Sequence, residues 1–172
     1  QLLFKKDAVS FITSNSNIYP QHSVRLNFID YMKSQSFDFD LFGRGFQPIQ
    51  NKFDGIGPYK YTIAAENYIG QDYFTEKIID AFLSLTMPIY YGCPNITDYF
   101  PKESMILVDL NKPEESLEKI KEAVANKLWD KNKDAIMYAK ELVLEKYQLF
   151  PMLHRLIQEI LNEQKVVMRE NI

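Results

Sequence analysis

Short β-type runs alternate along this chain with segments of helical apolar spacing, and that alternation restricts the fold more than any other feature. It is the pattern of a parallel sheet covered by helices on both faces. The first run is residues 8–13 (AVSFIT), closed by a polar turn at 14–17, and Val24, Phe28, Ile29 and Met32 then recur at helical spacing within 21–33. A second run covers 37–42 and ends in Gly43-Arg44-Gly45; after a variable loop the third covers 59–65. The next helix begins near Thr75, repeats Ile78, Ile79, Phe82 and Leu83, and has Asp72 or Thr75 as its N-cap. The fourth run is 88–92 (PIYYG) and the fifth 105–109, with Pro113 in the first turn of the helix beyond. Leu117, Ile120, Val124 and Leu128 line one face there, and helical patterns follow over 133–146 and 152–161, interrupted near Pro151. The expectation is an α/β chain: one Rossmann-like domain over 1–172, a doubly wound parallel sheet of about five strands, and a helical extension over roughly 128–172.

Composition narrows the partners. With 46% apolar residues, 12 Phe and 11 Tyr, the chain can bury a core, and disorder is excluded. The net charge of -3 argues against nucleic acid or an anionic membrane as the general partner, so an anionic ligand must be met by a few local cations. No apolar run approaches the roughly 20 residues of a membrane span. Cys93 is the only cysteine, which rules out an internal disulfide and favours a reducing compartment. Beside Gly92 and Pro94 it reads as a small packing residue at a strand end rather than a reactive thiol.

In a doubly wound sheet, ligands sit beyond the carboxyl ends of the strands where strand order reverses. Three loops qualify: 14–25, 66–77 and 92–98. The middle one, ENYIGQDYFTEK, is the richest, bringing Glu66, Asn67, Tyr73, Glu76 and Lys77 to a turn and the opening of a helix. A helix N-terminus favours a phosphate, Lys77 adds a full charge, and Arg25 from the first helix can add a bidentate guanidinium. Chemistry alone leaves a second reading open, in which Glu76 and Lys77 are solvated first-turn residues and Arg25 makes a surface pair.

Other constellations read as structural. Asp38 and Asp40 in FDFD mimic a metal-holding Asp-x-Asp element, yet they alternate with Phe37, Phe39 and Leu41 as the polar face of a strand would. His22 and His154 stand alone, without Cys or His at ligand spacing, so no metal site is expected. The sequence contains no glycine-rich dinucleotide fingerprint, P-loop or nucleophile elbow. The sequon at 95–97 (NIT) has meaning only in a secretory context.

In order and spacing, YKYTIAAEN, DYFTEKIIDAF and PIYYGCPNITDYFP resemble the C-terminal domain of the α-1,3/4-fucosyltransferase family, glycosyltransferase family 10. Weaker similarity extends back through ITSN, Arg25 and DLFGRG and forward through the fifth run. Ala65 stands where the family often has Phe, and Phe74 where it has a β-branched residue. The resemblance implies one half of a GT-B enzyme, two Rossmann-like domains of which the C-terminal one holds GDP-fucose for inverting transfer of L-fucose to a glycan hydroxyl. It implies that Arg25 and Lys77 neutralise the pyrophosphate, that Glu76 accepts from ribose hydroxyls, and that Asn67 and Tyr73 enclose the nucleotide-sugar. Ser14 and Glu66 are second-rank donor-binding candidates. It implies no metal or other cofactor.

The family's general base lies in its N-terminal domain, and here the first strand begins within about ten residues of Gln1. The expectation is therefore a chain with no catalytic residue of its own, one that binds the donor without transferring fucose. Acceptor contacts would come through the other domain, and the face it leaves exposed could pair two copies. Two alternatives stay open: a domain for another nucleotide-sugar, and a non-catalytic binding module of the same fold. The family has bacterial cytosolic-face and Golgi-lumenal members, and the lone cysteine favours the former.

Overall fold

In the computed structural model, which describes residues 4–148, 150, 152–158 and 160–161, five strands form one parallel sheet in the order β2-β1-β3-β4-β5. They are β1 (Lys6–Ile12), β2 (Asp40–Phe42), β3 (Tyr59–Ala65), β4 (Met87–Tyr91) and β5 (Ile106–Leu107). The helices between them are α1 (Pro20–Ser34), α2 (Lys52–Ile56), α3 (Glu76–Leu83) and α4 (Pro113–Ala125), followed by the short α5 (Leu128–Lys131) and α6 (Lys133–Leu142). The expected doubly wound α/β sheet is present.

The central strands read as unbroken apolar runs because both of their faces are covered. Tyr61, Ile63 and Ala65 of β3 join Met87, Ile89 and Tyr91 of β4 in a buried cluster with Phe28 and Met32 of α1 and Leu117 and Ile120 of α4. Alternate residues turn to the other face, toward α2 and α3, where Ala64, Tyr90, Ile78 and Phe82 are buried. Each fully buried Leu, Ile, Phe or Met contributes about 1.5–3 kcal/mol, so the two faces supply the bulk of the driving force. A polar pair also crosses the α2/α3 face: Ser10 Oγ donates to Thr62 Oγ1 at 3.0 Å.

Chain order places the site. From β1 the chain passes through α1 to β2 at the sheet edge, then returns to pair β3 on the opposite side of β1. Strand order reverses between β1 and β3, which opens a crevice beyond Ile12 and Ala65. The loop after β1 is held by the Gly43-Arg44-Gly45 turn: Asn15 N donates to Arg44 O at 3.0 Å. Gly43 has φ +116, and a Cβ there would lie 1.9 Å from Thr13 O, so no other residue permits this approach.

Several boundaries differ from the sequence expectation. The second strand starts at Asp40, not at 37; Phe37 and Phe39 stack on each other at 6.3 Å rather than extend the ladder. The fifth strand keeps only two residues, because Asp109 N turns to donate to the Ser116 hydroxyl at 3.1 Å. The variable loop before β3 contains α2, capped by Asn51, whose side chain accepts from Phe53 N at 2.9 Å.

The chain divides into two compact units, Gln1–Lys140 and Glu141–Ile172. The second contains the π-helical turn Val143–Tyr147 and helical residues at 152–158. The expected interruption at Pro151 lies outside the described residues. Among the described residues no helix is long and apolar enough to cross a membrane.

Candidate nucleotide-sugar site

The crevice between β1 and β3 gathers most of the candidates. β3 ends at Ala65, and the next two residues, Glu66 and Asn67, each meet one cation. The Asn67 Oδ1 accepts from Arg25 Nη1, while Lys77 Nζ stands 3.5 Å from Glu66 Oε2. Two cations from different helices thus flank one dipeptide at the strand's carboxyl end.

Arg25 is only 5% exposed, and its Nε has no hydrogen-bond partner among the described residues. Burial pulls the guanidinium below its ordinary range, and the nearby Glu66 carboxylate opposes that pull. An unpaired buried donor on a charged group is costly, on the order of 1–3 kcal/mol or more, unless an incoming acceptor satisfies it. His22, one turn earlier, is buried too; its Nδ1 accepts from Ile18 N at 3.3 Å. Burial, followed by the Arg25 charge, lowers its pKa, so it fixes the start of α1 as a neutral ring.

Glu66 is fully buried, and both of its oxygens are engaged within the chain. Oε1 accepts from Thr75 N at 2.9 Å and Oε2 from Thr75 Oγ1 at 2.6 Å. Thr75, one of the two expected caps, is the N-cap of α3, with Lys77 N 3.5 Å from its hydroxyl. Asp72, the other, sits outside the helix with φ +60. Two of the amides at the start of α3 are thus taken up within the chain, that of Thr75 by Glu66 and that of Lys77 by the Thr75 hydroxyl. Positive charge at the crevice comes from the Arg25 and Lys77 side chains.

Glu76 is exposed and lies 3.4 Å from Lys77 and 3.6 Å from Lys52. Burial acts to raise its pKa, but the Lys77 and Lys52 charges prevail and hold it below the ordinary carboxylate range. It is therefore ionised and able to accept hydrogen bonds. Lys52 carries no signal of its own in the sequence, because its five-residue helix is too short to show a period. It lines a hollow of about 110 Å³ with Ile12, Thr62, Glu76 and Lys77.

Tyr73 is 38% exposed and packs edge-on against Tyr68, itself exposed, at 5.3 Å. Ser14 is half-buried in the loop held by the Gly43 turn. Phe74 packs its ring against Tyr99 at 5.0 Å and Phe100 at 5.5 Å, filling the space behind the loop. On the far side of β4, Ile69, Tyr91, Cys93, Asp109 and Asn111 line an open cleft of about 440 Å³. Cys93 is buried, as a packing residue would be.

The remaining motifs are occupied structurally. Asp40 Oδ2 accepts from Tyr59 OH at 2.6 Å. Asn95, the sequon asparagine, donates both amide hydrogens, to Asp72 at 2.7 Å and to Asp98 at 3.1 Å. Among the described residues no group of three or more His, Cys, Asp or Glu side chains is placed to hold a metal ion.

The doubly wound parallel sheet, with Arg25 and Lys77 near its reversal point, makes this a Rossmann-like α/β domain. The model of glycosyltransferase family 10 (fucosyltransferase), C-terminal part, matches residues 2–136, and the chain belongs to that family. It is 32% identical over 120 residues to an alpha-(1,3)-fucosyltransferase of Helicobacter pylori, covering 68% of this chain and 24% of that protein. It is also 32% identical over 128 residues to 4-galactosyl-N-acetylglucosaminide 3-alpha-L-fucosyltransferase 9 of Homo sapiens, covering 71% and 34%. A crystal structure of an alpha1,3-fucosyltransferase with GDP-fucose matches with a TM-score of 0.61 and 28% identity, over 78% of this chain and 39% of that one. This chain therefore spans about a quarter to two-fifths of the relatives it matches.

Proposed function

We propose that this chain holds GDP-fucose, as the donor-binding half of an inverting fucosyltransferase. The observation that carries the reading is the buried Arg25 guanidinium at the β1/β3 crevice, with its Nε unpaired and Lys77 across the same Glu66-Asn67 dipeptide. Arg25 and Lys77 receive the diphosphate. Glu76 accepts from ribose hydroxyls, Asn67 and Tyr73 close over the nucleotide-sugar, and Ser14 borders the phosphates. Glu66 acts through the loop it ties rather than on the ligand.

Chemically, negative charge grows on the departing GDP as the glycosidic bond breaks, and cations fixed in advance stabilise it there. On this reading the two side chains suffice and no metal is required. The base that takes the acceptor's proton is assigned to the N-terminal domain that the family resemblance implies. The acceptor glycan approaches from that side, where the two domains would also meet.

Calorimetric titration with GDP, GDP-fucose and UDP tests this. Binding of both guanosine ligands with UDP much weaker is expected; selective binding of UDP, or of none of the three, overturns the reading.

A further inference from the structure

The loop between β3 and α3 carries Asn67 and Tyr73, and it is tied down twice. One tie is the Glu66–Thr75 pair at its two ends. The other lies across the loop and comes from the turn after β4. Asn95 Oδ1 accepts from Asp72 N at 3.0 Å, and Asn95 Nδ2 donates to Asp72 Oδ1 at 2.7 Å. Tyr99 OH donates to the same Asp72 oxygen at 2.5 Å.

Asn95 is itself braced. Its Nδ2 also reaches Asp98 Oδ2 at 3.1 Å, and Cys93 Sγ lies 3.1 Å from its Oδ1. Asp72 is held at φ +60, a left-handed conformation that Asp tolerates better than most residues but that needs support. Both partner groups of the side-chain amide are thus matched to both polar groups of Asp72, backbone and carboxylate. The next residue after Asp72 is Tyr73, exposed and packed edge-on against Tyr68.

We infer that Asn95 is a positioning residue for the donor: its two-pronged contact with Asp72 latches the β3–α3 loop and so sets the affinity for a nucleoside diphosphate. The inference rests on the donor-binding reading above. The latch joins the turn after β4 to a loop more than twenty positions away, so tertiary structure adds to the loop's own Glu66–Thr75 tie in holding Tyr73 and Asn67.

Amide hydrogen exchange and GDP titration on the whole chain test it together. Asn95→Ala should speed exchange of the amides at 67–74 on the order of tenfold and weaken GDP to a similar extent, with the core amides of β3 and β4 unchanged. Asn95→Asp alone should be worse, since it sets a third carboxylate against Asp72 and Asp98. The exchanged pair Asp72→Asn with Asn95→Asp should recover part of the loss, because a donor again faces an acceptor. Thr97→Val, which removes the sequon at an exposed position, should behave as wild type. If Asn95→Ala does not fold, Asp72→Ala breaks the same contact from the other side.

Wild-type exchange in Asn95→Ala, acceleration spread evenly over the chain, or unchanged GDP affinity beside normal wild-type binding overturns the latch. A wild-type chain that binds no GDP overturns the donor reading instead, and the exchange pattern alone then decides whether Asn95 holds the loop.

Discussion

Glu66 and Thr75 close a ten-residue loop on itself: one carboxylate oxygen accepts from the Thr75 amide at 2.9 Å and the other from its hydroxyl at 2.6 Å. Glu66 has no solvent contact, so these bonds and the Lys77 ammonium replace all of its hydration. Removing the carboxylate leaves a helix-start amide and a hydroxyl without their acceptor. Glu66→Ala should therefore lower stability by about 2–4 kcal/mol, and Glu66→Gln, which keeps one acceptor, by less. Urea unfolding monitored by the Trp129 fluorescence measures both.

Arg25 and Lys77 should differ in how substitution acts. Arg25 is buried and reaches Asn67 through its planar fork, whereas Lys77 is a partly exposed point charge shared with Glu66 and Glu76. Either alanine variant should weaken GDP binding by about 1–3 kcal/mol. Arg25→Lys should lose most of what Arg25→Ala loses, because the Asn67 contact needs the guanidinium geometry. Isothermal titration that returns wild-type affinity for both alanine variants would place the pair among ordinary structural charges.

How far the sequence disclosed this arrangement depends on the range of the interaction. β3 was legible to the residue, since a run buried on both faces needs no partner to be recognised. The cap at Thr75 was legible as one of two candidates because capping is local. β2 was overextended since Phe37 and Phe39 suit a strand by propensity but pack on each other at an edge. α2 was missed because five residues carry too little periodicity. Strand order and the Asn95–Asp72 contact are invisible to any window along the chain. Each joins residues that only the folded sheet brings together.

Gly92 follows β4 directly and faces that same loop. A Cβ there would lie 2.4 Å from Tyr90 OH and 2.5 Å from Glu66 Cγ, neither of which is the free end of a mobile side chain. Tyr90 OH also accepts from Cys93 N at 3.0 Å, so moving the ring breaks a second contact. Gly92→Ala should destabilise the chain by about 1–3 kcal/mol and weaken GDP as Glu66 shifts. Thermal melting with and without GDP checks it; a ligand-induced stabilisation equal to wild type would separate the packing defect from the site.

Lys5 makes the pH dependence of stability predictable at the opposite edge of the sheet. It is buried, and its ammonium donates to Gly57 O at 2.5 Å, Thr86 Oγ1 at 2.9 Å and Tyr59 O at 3.1 Å. Those acceptors replace only part of the lost hydration. Burial first, and the Lys140 charge second, lower its pKa from 10.5 to about 8. Below about 8 both states hold the proton, and the folded state bears the full penalty of the buried charge. Between about 8 and 10.5 the unfolded chain binds more protons than the folded one, so stability rises with pH, by roughly 3 kcal/mol across the window. Lys5→Met removes the titrating group, and the difference in unfolding free energy between wild type and variant isolates Lys5 from every other group that ionises in that range. That difference should climb in favour of the wild type from pH 8 to 10.5. A flat difference in urea melts at pH 7, 9 and 10.5 would mean that the three acceptors hold the ammonium as well as water does.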